Sequence, residues 1–413
     1  MKVNFCKSSL IFSIMLSIWL STWPAYGLAV DFYLSGFGTI GVSCFDNNNA
    51  DFRRDDVPKG PGRTHRCSGE LDSKIGVQGD WTLTDSLEAT LQLTAMHNSD
   101  DSFEPQLTLA NLRWQFADNW KMRVGRMQNP NFMYSEFRNV NYAQPWARPI
   151  GELYNTLPTF LHDGIEFLYS HRINDWQFEY HMGLAQSDFQ YPLSNTADQL
   201  QVNIQTSYLN ISASKGAWLF KAGIAPSRST ATSQMVEGIL SSLRTAGETA
   251  LANDIEINDS PYTLYSAGFQ YEHHDWLISG AISTRPTEGF VYHPTAAYIS
   301  VAKHIGLWTP YIALARLEGE MDDAHNTLNP ITQAALYQQV DGLLSSTHDL
   351  DRTSLIVGFA RELNHQMTLK VQANFIQPDK SSFGDYINHH PTGYDFASPG
   401  TDTLFTVNLD FVF

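Results

Sequence analysis

WKMRVGRMQN PNFMYSEFRN VNYAQPWARP IGELYNTLPT, residues 120 to 159, starts as one kind of structure and continues as another. Trp120, Met122 and Val124 alternate with Lys121 and Arg123, the period of a β-strand with one apolar and one polar face. A strand of that kind suits a wall between oil and water. After Gly125 the alternation stops. Roughly thirty residues follow in which Pro130, Pro145, Pro149 and Pro158 mix with Phe, Tyr and Trp and with Glu136, Arg138, Arg148 and Glu152, and loops of that length are uncommon in compact domains unless functional. The segment is too aromatic for a disordered linker and too charged for a core. It reads as a loop, about residues 128 to 160, folded back into a cavity; in a barrel, that makes a pore constriction.

Outward from this stretch, the chain from Val30 repeats one pattern: alternating segments of about ten residues joined in turn by very short and by long connections, the signature of a transmembrane β-barrel. In 105–116, Ala110, Leu112, Trp114 and Phe116 oppose Asn111, Arg113 and Gln115. In 176–186, Trp176, Phe178, Tyr180, Met182 and Leu184 oppose Gln177, Glu179 and His181, and in 366–376, Met367, Leu369, Val371, Ala373 and Phe375 oppose Thr368, Lys370, Gln372 and Asn374. Short connections fall at 84–86, 117–119, 173–175, 215–216, 273–275, 306–307 and 364–366. Long ones lie near 45–70, 98–104, 128–160, 187–202, 229–261, 287–294, 319–350 and 378–401. Together they predict an all-β, antiparallel barrel of about 16 strands with both chain ends on the short-turn side. A soluble sandwich also alternates, but with shorter strands.

Tryptophan placement supports the membrane reading. Trp81, Trp114, Trp120, Trp176, Trp218, Trp276 and Trp308 each sit within a few residues of a short turn, as an interfacial girdle requires, whereas Trp146 lies in a long loop. Residues 1 to 29 read as a secretory signal: Lys2 and Lys7, an apolar run from Leu10 to Leu20, and a small-residue exit at Gly27 and Ala29. That run is short for a membrane helix and no later stretch reaches about 18 apolar residues, so any crossing is by strands. Export removes Cys6 and leaves Cys44 and Cys67, which predict one disulfide in an oxidising compartment; two free thiols are the competing reading. It also removes Lys2 and Lys7, taking the formal charge from -17 to -19, an acidity that argues against a nucleic-acid partner. In the terminal TDTLFTVNLDFVF, Phe405, Val407, Leu409, Phe411 and Phe413 share one face.

The mature chain resembles Gram-negative outer-membrane porins, particularly the branch related to phosphate-selective porins. The residues carrying the resemblance are LSGFGTIG (34–41), RVGRMQNP (123–130), SEFRNVNYAQPWARPIGELY (135–154) and FLHDGIEFLYS (160–170). It implies a sixteen-stranded, usually trimeric diffusion channel for small hydrophilic solutes or ions, narrowed by its third long loop, in an outer membrane bearing lipopolysaccharide. The terminal Phe413 looks like the signal read by the barrel assembly machinery. One departure is clear: phosphate-selective members carry abundant arginine and lysine along the conduit, and this chain has 26 Lys+Arg against 43 Asp+Glu.

Arg113, Lys121 and Arg123, with Glu136, Arg138, Arg148 and Glu152 on the loop and Glu166 and Glu179 on the next strands, are the candidate pore-lining charges, either screening solutes or holding the loop in place. Arg126 departs from the register of Lys121 and Arg123, which leaves its direction open. The hairpin at Ala117–Asn119 should set Phe116 opposite Trp120 and Arg113 opposite Arg123, a like-charge pair that needs a counter-charge, for which Glu136, Glu152 and passing anions are the candidates. Amphipathic stretches at 235–246 and 331–344 predict helices packed on the rim. Acidic clusters at 46–51, at Asp55 and Asp56 and at Asp322 and Asp323 read as solvated loop surface, and the pairs His273-His274 and His389-His390 as loop residues; none has metal-ligand spacing. No motif calls for a cofactor or an enzyme, although an outer-membrane hydrolase with a dispersed site and a loop-based adhesin or receptor are the alternatives to a channel.

Overall fold

The computed structural model describes residues 31–54, 57–157, 159–192, 199–287, 291–321, 325–345, 350–390, 393–395 and 397–413. The signal assigned to residues 1 to 29 and the acidic pairs Asp55/Asp56 and Asp322/Asp323 lie outside them. Sixteen long strands form one closed antiparallel sheet. They are β1 (Asp31–Phe45), β2 (Lys74–Thr84), β3 (Leu87–Met96), β4 (Gln106–Ala117), β5 (Trp120–Gln128), β6 (Leu161–Ile173), β7 (Trp176–Pro192), β8 (Gln199–Lys215), β9 (Trp218–Thr232), β10 (Ile257–His273), β11 (Trp276–Thr284), β12 (Tyr292–Lys303), β13 (Trp308–Met321), β14 (Arg352–Asn364), β15 (Met367–Pro378) and β16 (Asp402–Val412). Each pairs with its neighbour in sequence, and β16 returns to β1, so the sheet has no free edge.

The closure is glycine-dependent. Gly36 and Phe413 exchange both backbone hydrogen bonds, at 2.8 and 3.0 Å, while the rings of Phe413 and Phe411 lie on Gly36 and Gly38 where any side chain would collide. This is what the terminal aromatics and the LSGFGTIG stretch do together.

All seven short connections stand where the alternation places them. Large apolar side chains such as Leu34, Ile40, Val42, Leu112, Leu184, Ile282 and Leu314 are exposed along the outer face. A surface so apolar on so many neighbouring strands suits a hydrocarbon contact. The polar partners on alternate positions, among them Lys370, Gln372, Thr406, Asn408 and Asp410, are buried inside.

Two boundaries differ from the sequence reading. Most of 187–202 is strand, not loop, with β7 running on to Pro192 and pairing with β8 from Gln199. Likewise β9 reaches Thr232 and β10 starts at Ile257. In QSDFQYP the polarity inverts: Phe189 and Tyr191 lie on the inner face and Gln186, Asp188 and Gln190 on the outer one, the reverse of Trp176 to Leu184, while the backbone ladder continues all the same.

The long connections hold structure of their own. Helices α2 (Gln234–Thr245) and α4 (Ala334–Ser345) correspond to the two amphipathic stretches, and α3 (Thr249–Ile255), which sequence reading missed, packs with them; α1 is the four-residue Gly151–Tyr154 in the third loop. Ser233 caps α2 by accepting the Val236 amide at 3.2 Å, and Val236, Ile239, Leu240 and Leu243 meet Leu251, Ile255 and Val340. In the first loop, Asp51–Phe52 pairs with Tyr386–Ile387 of the last. Asp51 is therefore not solvated, contrary to expectation: it is buried and accepts from Thr64 and Asn388. His389 is buried too, against Phe383 and Tyr394.

Cys44 and Cys67 form a disulfide across a two-residue ladder between β1 and Cys67–Ser68, closing a separation of 23 residues. By the chain-entropy model such a loop contributes about 3 kcal/mol. Replacing both cysteines by serine should lower the unfolding free energy by about that amount in urea titrations of the folded protein. Unfolded, unreduced wild-type protein should show no free thiol; a stoichiometric thiol signal would remove the bridge.

Candidate functional site: a loop tied across the barrel interior

The left-handed Gly125, with φ of 125°, is where the opening stretch changes character, because a Cβ there would lie 2.2 Å from the Ala110 carbonyl oxygen. Beyond β5 the chain turns inward. Residues 129–160 hydrogen-bond to inward-facing side chains on most of the barrel strands. Asn131 accepts from Asn210 of β8 at 3.1 Å, and its carbonyl accepts from Ser266 of β10. Lys221 of β9 donates to the Phe132 carbonyl, and Tyr134 donates to Gln270 at 3.1 Å. The Trp146 indole donates to Ser300 of β12 at 2.9 Å, and the Ala147 amide to Gln372 of β15, also at 2.9 Å. Asn408 of β16 donates to the Ala147 carbonyl.

Ion pairs fix the same segment. Arg148 meets Asp72 at 2.9 Å through Nε and also donates to Ser43 of β1 and Thr406 of β16. Glu152 accepts from Arg352 at 2.8 Å and from Ser354 at 2.6 Å, both on β14. Arg352 continues to Asp385 in the last loop, which also pairs with Arg53 of the first at 2.7 Å. Burial opposes charge on Asp72 and Asp385, yet the Arg148 guanidinium, and Arg53 with Arg352, hold the two carboxyls below the ordinary carboxylate range. Arg148 and Glu152 are thus buried anchors, not solvent-facing charges.

An apolar patch completes the seat. Phe132, Tyr134, Trp146, Ile150, Leu153 and Tyr154 pack against Ala296, Tyr298, Ala302, Tyr311, Ala313 and Ala315 on the inner faces of β12 and β13. Small alanines leave room for the loop's rings, and burying each large side chain contributes about 1.5–3 kcal/mol. The sequence carried a trace of this, since TAAYISVA (295–302) and PYIALA (310–315) lack the polar alternate face found elsewhere.

Arg113 stands opposite Arg123 in the ladder, as expected. A register shift between Gln115 and Ala117 puts Trp120 opposite Ala117, not Phe116, because the turn closes on two residues. Of the counter-charges foreseen, Glu136 is present, and two further carboxylates come from the neighbouring strands. Arg113 pairs with Glu88, its neighbour on β3, and Arg123 with Glu166 on β6 at 2.6 Å and with Glu136 of the loop at 3.1 Å. Glu152 plays no part there. Glu166 also accepts from Tyr208 at 3.0 Å and contacts His181 at 3.2 Å. Burial notwithstanding, Arg123 holds the Glu136 carboxyl below its ordinary range. Arg126 pairs with Asp163 at 2.6 Å, apart from that network. Arg138 is buried with its guanidinium over the Phe160 ring, 3.2 Å from the centroid. Lys121 and Glu179 are exposed and make no ion pair among the described residues.

Between the loop and the barrel's long-loop end lies a cavity of about 720 Å³ whose walls include Arg53, Arg126, Phe160, His162, Tyr262 and Arg285. Sequence reading missed Asp72, Glu88, Arg352 and Asp385, and Lys74, which donates to Asn141 at 3.0 Å. Alternation does place Lys370 and Gln372 of β15, and Thr406, Asn408 and Asp410 of β16, on the polar face.

A closed sixteen-stranded barrel with short turns at one end, long loops at the other and a charged, loop-crossed interior has the architecture of an outer-membrane porin. Solved structures with this fold include Salmonella typhi OmpF in complex with daunomycin (TM-score 0.54, 13% identity, 92% of this chain and 97% of that one). Others are the anion-selective porin from Comamonas acidovorans (0.54, 12%, 93% and 100%) and the outer membrane channel DcaP of Acinetobacter baumannii (0.53, 12%, 93% and 97%). At these identities the likeness is one of fold. No protein-family model and no curated relative matches the sequence.

The anchors make the loop's attachment dependent on acid. Because Asp72 and Asp385 have folded pKa values below their unfolded value of about 3.9, their stabilisation is present above that value and is lost as pH falls through the folded pKa. Proteolysis within 129–160 should therefore accelerate on acidification below about pH 4. Asp72→Asn, which strands the buried Arg148 charge, should cost about 3–5 kcal/mol in unfolding experiments at neutral pH; a change within 0.5 kcal/mol or so would deny the pair an anchoring role.

Proposed function

We propose that this protein is a porin of the Gram-negative outer membrane, exported with residues 1–29 as its signal and assembled as a trimer. Its barrel, residues 30–413, encloses a water-filled channel for passive diffusion of small hydrophilic solutes or ions. The observation that carries the reading is the lopsided attachment of residues 129–160. The loop is tied to β1, β8 to β10, β12 and β14 to β16 by many contacts, whereas on β3 to β5 it meets Arg123 through Glu136 at 3.1 Å and leaves Arg113 and Lys121 exposed. Passage runs along that wall, and the loop is the constriction. A barrel of sixteen strands is wide enough to leave an aqueous channel once one side is filled.

Arg123 is bridged directly to Glu136 of the loop at 3.1 Å and to Glu166 at 2.6 Å, so the local field along the wall is set by the exposed Arg113 with its partner Glu88, by Lys121 and by Glu179. Solute selectivity follows from this field more than from the net acidity, and the resemblance to the phosphate-selective branch rests on sequence alone. Lipopolysaccharide around the rim and the assembly machinery at Phe413 are the expected partners.

Protein reconstituted in planar bilayers should conduct in stepwise increments in potassium chloride; no current above the lipid background would sink the channel reading. Replacing Arg113 and Arg123 together by glutamine leaves Glu88, Glu136 and Glu166 uncompensated. The zero-current potential in a salt gradient should then move towards cation preference. An unchanged potential with the barrel still folded would mean that these arginines do not screen ions.

A further inference from the structure

The vestibule above the loop contains a cation that the charge pairing does not account for. Arg285, just past the end of β11, donates from Nη2 to the Tyr292 carbonyl at 3.1 Å and lies over the Tyr262 ring, 5.6 Å from its centroid. Its Nε is shielded from solvent and has no acceptor, and no carboxylate among the described residues pairs with it. A shielded guanidinium N–H without an acceptor is costly. The acidic groups on the same cavity have other partners: Asp163 pairs with Arg126 at 2.6 Å and Asp385 with Arg53 at 2.7 Å and Arg352 at 3.0 Å, while Asp188 accepts from Gln186 at 2.9 Å and Asp100 from Ser102 at 2.8 Å.

Arginine on an aromatic face is the recurring element of this cavity. Arg53 lies over Tyr191 at 5.2 Å and Arg138 over Phe160 at 3.2 Å, so three guanidinium–ring stacks from three segments line one space of about 720 Å³. Phe189, Val202, Ile204 and Leu317 supply apolar wall between them. A volume in the hundreds of Å³, lined by aromatic and aliphatic side chains between fixed charged ones, suits a small organic ligand and exceeds what an inorganic ion needs. A flat guanidinium matches a carboxylate in shape and charge, and its neighbouring ring extends a flat surface beside it.

We propose that Arg285, Tyr262 and the apolar wall beside them form a vestibule subsite for aromatic carboxylates, which would concentrate such solutes ahead of the constriction. The solute's carboxylate takes the Arg285 charge, and its ring lies along Phe189 and Tyr262. This deepens the channel reading, on which its transport role rests, by naming a solute class.

Binding is tested apart from transport, by isothermal titration of the detergent-folded full chain with benzoate, acetate and inorganic phosphate. Benzoate should bind at least about tenfold more tightly than acetate, from the added ring burial, and more tightly than phosphate. Arg285→Gln should weaken benzoate at least about tenfold, with Arg285→Lys intermediate because it keeps the charge and loses the planar stack. Equal affinity for benzoate and acetate, tighter binding of phosphate, or benzoate binding unaltered in a folded Arg285→Gln protein would each overturn the subsite. The wild-type comparison decides the matter even if the variant fails to fold. Bilayer recordings separate the two readings: conductance without benzoate binding refutes the subsite alone, and benzoate binding without conductance refutes the channel alone.

Discussion

One ammonium group shows the constraint under which the rest of the interior is built. Lys370 Nζ, on the inner face of β15, donates to the carbonyls of Asn141, of Gln144 at 2.7 Å and of Trp146 at 3.0 Å, and pairs with Asp410 at 3.0 Å. A chain segment brought inside a barrel carries its backbone polar groups with it, and each must find a partner or cost about 1–3 kcal/mol. Among the described residues, the third loop has only one short helix and two 3-10 turns, so most of its carbonyls and amides have no regular ladder to join. Lys370, Lys221, Gln372 and Asn408 provide partners from the wall.

The same constraint orders the charges. Arg148 with Asp72, and Arg352 between Glu152 and Asp385, are buried pairs whose members come from segments far apart in the chain. Each charge costs several kcal/mol to desolvate, so the pairs add little net stability relative to an apolar replacement, but removing either member is expensive. They act as register marks that permit one seating of the loop. Near the open wall, by contrast, Arg113 and Glu88 stay exposed, and their pairing in high dielectric contributes little. The interior therefore divides into a buried side that holds the loop and a side on which charged groups stay exposed.

The outer face meets a different requirement. Where lipid replaces water, every strand has to be paired on both sides, and the glycines of β1 that receive Phe411 and Phe413 let the last strand lie flat against the first. Acidity on the loops and lumen is compatible with this wall because alternate residues face opposite solvents.

Much of this was readable from the chain before folding. Strand number, the two kinds of connection, the Cys44–Cys67 bridge and the facing of Arg113 and Arg123 all follow from period-two alternation or from the short list of cysteines. The extensions of β7 and β8 were not legible, because beyond Leu184 the apolar residues, Phe189 and Tyr191, move to the inner face and the period of the apolar outer face is broken. Nor was the seat on β12 and β13 legible as a seat, since alanine at an inner position means space only when something fills it. The partners of Arg148, Glu152 and Arg113 were beyond reach for a different reason. Ion pairing depends on which side chains meet across the lumen, and sequence separation says nothing of that distance: Glu152 lies 200 residues from Arg352. What the sequence determined by itself was a wall and a segment unfit for the wall; which side of the lumen that segment occupies was decided by the tertiary structure, where buried polar groups and rings had to be matched one by one.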